Sequence, residues 1–360
     1  MNMMDYLDWR GDVTFEEKAL NEVDSLILST LSYLAMEGLV SEDDSLSPTI
    51  GELWRAYEAS GCDQSAMIQD PGPLLKKAAG CARFERVVVS CFVNTVASEE
   101  RVQFSAVTFR ILPGLSYIAF RGTDNTIVGW REDCDFSFTR TTGQIMATQY
   151  VDRIAEMTDD ALIVGGHSKG GNFAVYAAAF CDPAVRDTRI RSVYSNDGPG
   201  MMRELVETQE YHAILERTIQ IIPESSVFGV VLSSRLPRKI IKSDEKFIYQ
   251  HNPYSWEVLG SAFVRADERT HSSIFLDDIF RRWIDSLSAE SLRDVFNTIF
   301  NAIEASGAVT VNELNENKFM TYGAILKAVA KVEPKERSEV LGALKKLLLS
   351  GRDAITEKEN

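Results

Sequence analysis

The chain has 360 residues, 45% of them apolar, enough for a sizeable core in one large α/β domain or two modest ones. Its 38 basic residues stand against 53 acidic ones, a formal charge of −15. That balance argues against a nucleic-acid partner, whose phosphates demand clustered Lys and Arg, and against a polybasic grip on anionic lipid.

The opening "MNMMDYLDWRGDVTFEEKAL" has acids where a signal peptide needs a basic region, and no apolar run follows. No stretch approaches the roughly 20 apolar residues of a membrane span. Residues 15–60 read as mostly helical. "NEVDSLILSTLSYLAM" has apolar positions at helical spacing, and "TIGELWRAYEAS" opens on a threonine cap and stops before Gly61. Residues 84–120 read as strands, with "RVVVSCFVNTV", "VQFSAVTFRIL" and "SYIAFRG" separated by turn-like "ASEER" and "PGL". From about 145 the rhythm alternates. "GQIMATQYVDRIAEM" is expected as helix, "ALIVGG" as strand, "KGGNFAVYAAAFC" as helix and "IRSVYSND" as strand. "MRELVETQEYHAILE" is expected as helix and "TIQIIP" as strand. Short apolar strands between amphipathic helices imply a mostly parallel sheet with helices on both faces. After about 275 only helical patterns remain, a helical extension or cap over about 275–350 of a single domain. The five cysteines, Cys62, Cys81, Cys91, Cys134 and Cys181, form no CxxC pair. They are expected to be reduced in a cytoplasmic protein, not to build a disulfide framework or a zinc site.

One pentapeptide carries chemistry. "GHSKG" at Gly166–Gly170 fits G-x-S-x-G between an expected strand and an expected helix, the context that the motif requires. Such a turn strains the serine backbone, and only glycine at its flanks lets the two arms approach. Ser168 would stand at a helix N-terminus, where unpaired N–H groups and the helix dipole favour an anion. The rival reading is a plain helix cap.

A nucleophilic serine needs a base. The histidines are His167, His212, His251 and His271. His167 lies inside the turn, expected to pack there and to point away from the base position, and His212 sits in an amphipathic helix. His251, in "FIYQHNPYSWEV" after a strand-like "KFIYQ", lies on a loop downstream of the serine, which suits a base better than His271. The acid expected to orient the base is Asp197, which the sharp exit "SNDGPG" would leave at the carboxyl edge beside the serine turn, in preference to its rival Glu224 after the next strand. An oxyanion needs two N–H donors. The Lys169 amide supplies one. The other should come from an earlier loop such as Gly122-Thr123-Asp124, although a simple turn with Arg121 in a salt bridge explains those residues as well.

At these residues the chain resembles class 3 (fungal-type) lipases. "YIAFRGTDNTIVGWREDCDFSF" is similar to their oxyanion segment and "GGHSKGGNFAVYAA" to their elbow, with Lys169 where they usually carry leucine. Over residues 5 to about 260 it resembles the DUF2974 family of bacterial lipase-like proteins still more. The blocks that carry this are "DYLDWRGDVTFEEKALNEVDSLILSTLSYL", "QFSAVTFRI", "AFRGTDNTIVGWREDCDFSF", "YSNDGPGM", "IIPESSVFGVVL" and "QHNPYSWEV". The resemblance implies an α/β-hydrolase fold and a serine esterase or lipase mechanism. Ser168 would be the nucleophile, His251 the base and Thr123 an oxyanion donor. The acid stays open. Class 3 lipases place theirs after the strand matching "TIQIIP", where this chain has Glu224, Ser225 and Ser226, while "SNDGPG" resembles the pancreatic-type arrangement with the acid one strand earlier.

The expected activity is hydrolysis of carboxylic esters, lipids among them, without metal or organic cofactor. Lys169 would add a cation near the mouth, favouring acidic or phosphate-bearing substrates. Two rival readings are a non-catalytic binding module on a hydrolase scaffold and a thioesterase or peptidase using the same residues.

Overall fold

The computed structural model describes residues 1–61, 70–97, 102–124 and 131–278, except 133–134, 137–138, 272 and 275–276. The helical extension expected over about 275–350 lies outside the described residues apart from Asp277 and Asp278. The N-terminal region holds helices α1 (Met3–Arg10), α2 (Glu22–Leu31), α3 (Ile50–Ser60) and α4 (Gly72–Ala79). The α3 helix starts and stops where its sequence says. The Thr49 and Glu52 side chains cap each other's backbone, and Gly61 ends the helix in the left-handed conformation.

Seven strands follow in simple order: β1 (Val88–Ala97), β2 (Val102–Leu112), β3 (Leu115–Phe120), β4 (Ala161–His167), β5 (Ile190–Asn196), β6 (Thr218–Pro223) and β7 (Arg238–Ile241). The first three pair antiparallel, and β3 through β7 are parallel. This mostly parallel sheet, covered by helices, is the α/β-hydrolase architecture.

The strand order dictates what covers each face. Parallel strands laid side by side in chain order, each joined by a right-handed crossover, send every crossover to one face. Accordingly α5 (Thr142–Met157), α6 (Lys169–Phe180) and the β5–β6 connection share one core with Ile118, Phe120, Leu162, Val164 and Val193. The alternate residues Tyr117, Ala119, Ile163 and Tyr194 face the other way and would be bare without a second layer. The N-terminal helices supply that layer, joined by Trp256, Val258 and Phe263 from beyond β7. Polar contacts pin it down. The Tyr117 hydroxyl on β3 bonds to Ser25 and Ser29 of α2 at 2.8 and 2.9 Å, and the buried Arg83 guanidinium donates through Nε to Asp24 at 2.8 Å.

Three local expectations are corrected. "MRELVETQEYHAILE" is not one helix. It breaks into turns at Arg203–Val206 and Gln209–His212 and a 3-10 turn at Leu215–Arg217, because Thr208 starts a new helix by capping the Tyr211 amide. "KFIYQ" is not a strand. Phe247–His251 forms a 3-10 turn that begins with Phe247 at φ +52°. Strand β7 adds to the expected set; it is four residues long and mostly half-buried, too short to show a clear pattern.

The described cysteines Cys81, Cys91 and Cys181 are free thiols, and burial pushes Cys181 up to about 12. No group of three or more His, Cys, Asp or Glu that could hold a metal occurs among the described residues. No described helix is long and apolar enough to cross a membrane.

Candidate active site

Strand β4 ends at His167 and helix α6 begins at Lys169, leaving Ser168 alone to reverse the chain. Its backbone sits at φ +59°, ψ −130°, a region costly for any residue with a Cβ, on the order of 1–3 kcal/mol. Although Ser168 occupies the N-cap position, its side chain makes no capping bond. The strain is therefore not the by-product of a cap. A Cβ on Gly166 would overlap the backbone of Gly170, so the glycine is what lets strand and helix close to this distance.

The Gly122–Thr123 loop leaves the adjacent strand β3 against this turn. A Cβ on Gly122 would overlap the Tyr33 hydroxyl and stand 3.0 Å from the Ser168 Cβ. Thr123 and Asp124 are buried, and Arg121 contacts Asp124 at 3.6 Å. Lys169 is the first residue of α6, where the helix's own ladder uses no amide.

Asp197 leaves β5 at the same edge. Its φ is +51°, and its amide donates to Ile221 O at 2.7 Å. Its carboxylate is fully buried and faces three donors. Ser226 Oγ and the Gly229 amide, the latter at 3.2 Å, donate to Oδ1. His251 Nδ1 lies 2.6 Å from Oδ2. A carboxylate at that atom fixes the proton on Nδ1 and leaves the Nε2 lone pair as the basic one. The structure thus brings His251 to Asp197 and not to Glu224. The described bonds of Glu224 run through its backbone, to Ile241 and Thr270. His271 and His212 are exposed, the latter bonded to Val206 O.

Two expectations about charge and orientation are corrected. His167 does not point away from His251. Its ring lies against that of His251 with centroids 4.6 Å apart, and the Phe228 ring also lies against His251, at 4.2 Å. Lys169 does not add a cation to the mouth. Its ammonium is buried and paired with Glu132 at 3.2 Å. Glu132 is itself fully buried and accepts the Gln103 and Gly143 amides, both at 3.1 Å. It binds β2, α5 and α6 together beneath the turn. Sequence reasoning missed Glu132 and Phe228: they lie in blocks that carry the family resemblance, "WREDCDF" and "SSVFG", but nothing in those blocks singles out one acid or one aromatic.

That ion pair supplies a test of the local energetics. Lys169→Met would strand a buried carboxylate, at a cost of about 3–5 kcal/mol. Adding Glu132→Gln should recover part of the loss, because both charges are then gone while the glutamine oxygen can still accept one of the two backbone amides. Urea denaturation of the single and double variants measures it, and a double variant as unstable as the single one would contradict this assignment.

Comparison with known proteins places these features. No curated protein matches the chain. Among solved structures it is similar to the crystal structure of M37 lipase, at 14% identity and a TM-score of 0.35, covering 57% of this chain and 68% of that one. At that distance the likeness carries no argument. Residues 78–301 match the profile of the Mbeg1-like family. The match runs from the end of α4 through the whole sheet, the strained serine and both residues of the His–Asp pair, and the chain belongs to the Mbeg1-like family.

Proposed function

We propose that this chain is a serine hydrolase of carboxylic esters, with Ser168 as nucleophile, His251 as base and Asp197 as acid. The observation that carries the reading is the conjunction of a strained, uncapped Ser168 with a buried carboxylate 2.6 Å from the downstream histidine. Membership of the Mbeg1-like family supports a lipase-like hydrolase at the level of class.

In this reading His251 Nε2 removes the Ser168 proton as Oγ attacks the ester carbonyl. The tetrahedral oxyanion is held by the Thr123 and Lys169 amides, each contributing on the order of 3 kcal/mol. His251 then returns the proton to the leaving alcohol, and a water molecule repeats the sequence to release the acid. The imidazolium formed on the way is stabilised by Asp197 and lies against the Phe228 ring, a cation–π contact on the order of 1 kcal/mol. With Lys169 paired to Glu132, its side chain gives no reason to favour an anionic substrate.

The test is a panel of p-nitrophenyl esters of rising chain length, run beside thioesters and amides with Ser168→Ala as control. Ester turnover lost in the variant supports the proposal. Turnover equal in both proteins, or confined to thioesters or amides, rejects it.

A further inference from the structure

His167 is not used by the reaction just described, yet its side chain both bonds to the backbone of His251 and lies against the His251 ring. Strand alternation explains how it gets there. His167 follows Ile163 and Gly165 on the β4 face that looks toward the N-terminal helices. There Nδ1 meets the Tyr33 hydroxyl, just past α2, at 3.1 Å, and Nε2 meets the backbone carbonyl of His251 at 2.9 Å. The ring also lies edge to face with Trp256, centroids 6.2 Å apart.

The proton positions follow from the partners. The His251 carbonyl can only accept, so Nε2–H donates to it. Burial holds His167 well below the ordinary imidazole range, and the neighbouring His251 pushes the same way, so the ring is neutral and carries one proton. Nδ1 must then accept from the Tyr33 hydroxyl.

We propose that His167 is a positioning residue that clamps the base, tying the His251 backbone to the end of the nucleophile strand and bracing its ring. This rests on the hydrolase reading of Ser168 and His251. His251 ends a 3-10 turn that carries no strand or long helix, so its ring has little local structure to orient it. Asp197 fixes Nδ1, the Phe228 and His167 rings both lie against the imidazole, and the His167 bond to the carbonyl fixes where the His251 backbone sits. Neutrality is part of the device, because a second cation stacked on the base would oppose the charge that His251 must take up. The clamp also gives the N-terminal region a part in catalysis, through Tyr33.

Substitution at His167 should leave the loop folded. Gln250, next to His251 in the chain, is held independently, its carbonyl by Trp256 Nε1 and its side-chain oxygen by the Ser225 amide, both at 2.8 Å. The experiment compares His167→Phe, which keeps a ring but loses the donor, with His167→Gln, which keeps a donor. The first readout is the proton NMR resonance of His251 Nδ1–H, identified by its loss in His251→Ala. It should shift or broaden in His167→Phe and return toward the native position in His167→Gln. The second is ester hydrolysis. His167→Phe should lose about 10- to 100-fold in kcat with KM little changed, the scale of a misplaced catalytic group, and His167→Gln should recover most of it. A native resonance in His167→Phe, or equal kcat losses in both variants, would overturn the clamp. If the resonance responds as expected while the native protein turns over no ester, the clamp stands and the hydrolase reading falls.

Discussion

Ser168→Ala and His251→Ala are each expected to lower kcat on the preferred ester by about 10⁶-fold, with the double variant no worse than either alone. Nucleophile and base act as one unit, so removing either removes the same step, and the losses do not add. The fold should persist. Alanine keeps the Cβ that Ser168 already carries at φ +59°, and the Ser168 hydroxyl makes no capping bond to be lost. The thermal midpoint of Ser168→Ala should therefore stay near the native value. His271→Ala is the control. That side chain is exposed, and activity should be unchanged. Kinetics on the four proteins check the set, and a severe loss in His271→Ala with a mild one in His251→Ala would move the base.

Asp197→Asn is expected to cost roughly 10⁴-fold in kcat, the scale seen when a catalytic aspartate becomes an amide. The reason is tautomeric. An asparagine can keep its oxygen toward Ser226 and Gly229, the partners of Oδ1, and so turns its NH₂ group to His251. That donor requires a lone pair on Nδ1, which moves the imidazole proton to Nε2. Nε2, the base of the proposed mechanism, then has no lone pair with which to take a proton. Glu224→Gln should leave kcat nearly native, since the described bonds of Glu224 are made by its backbone. Both variants assayed on one ester decide the matter, and a collapse confined to Glu224→Gln would reassign the acid.

The parts of the site that obey local rules are legible in the amino-acid sequence. An apolar strand, a glycine-flanked serine and a small-residue helix specify one sharp turn, and the turn forms at Ser168 as its sequence implies. The sharp exit "SNDGPG" favours Asp197 over Glu224 in the sequence, but the two follow neighbouring parallel strands that end at the same edge, and the contact with His251 comes from the structure. The structure shows how the loop after β6 takes part. It offers no carboxylate to His251 but gives Ser226 Oγ and the Gly229 amide to the carboxylate of Asp197. The contacts of His167, the pairing of Lys169 with Glu132 and the Phe228 ring join elements far apart in the chain, and no local pattern encodes them. The same holds for Phe247–His251, whose strand-like composition yields to the anchoring of Gln250 by Ser225 and Trp256. The simple strand order explains a further point. The helical N-terminus reads in sequence as a preface, yet it covers the sheet face that the crossovers leave bare.

Whether Ser168 is an activated nucleophile is tested, without knowledge of the substrate, by a fluorophosphonate probe. Such a probe phosphonylates a serine only where a base and an oxyanion site are assembled around it. Native protein treated with the probe, digested and mapped by mass spectrometry should carry one adduct, on Ser168. Labelling should disappear in Ser168→Ala and fall steeply in His251→Ala. An unlabelled native protein, or an adduct that persists in Ser168→Ala, would contradict the account.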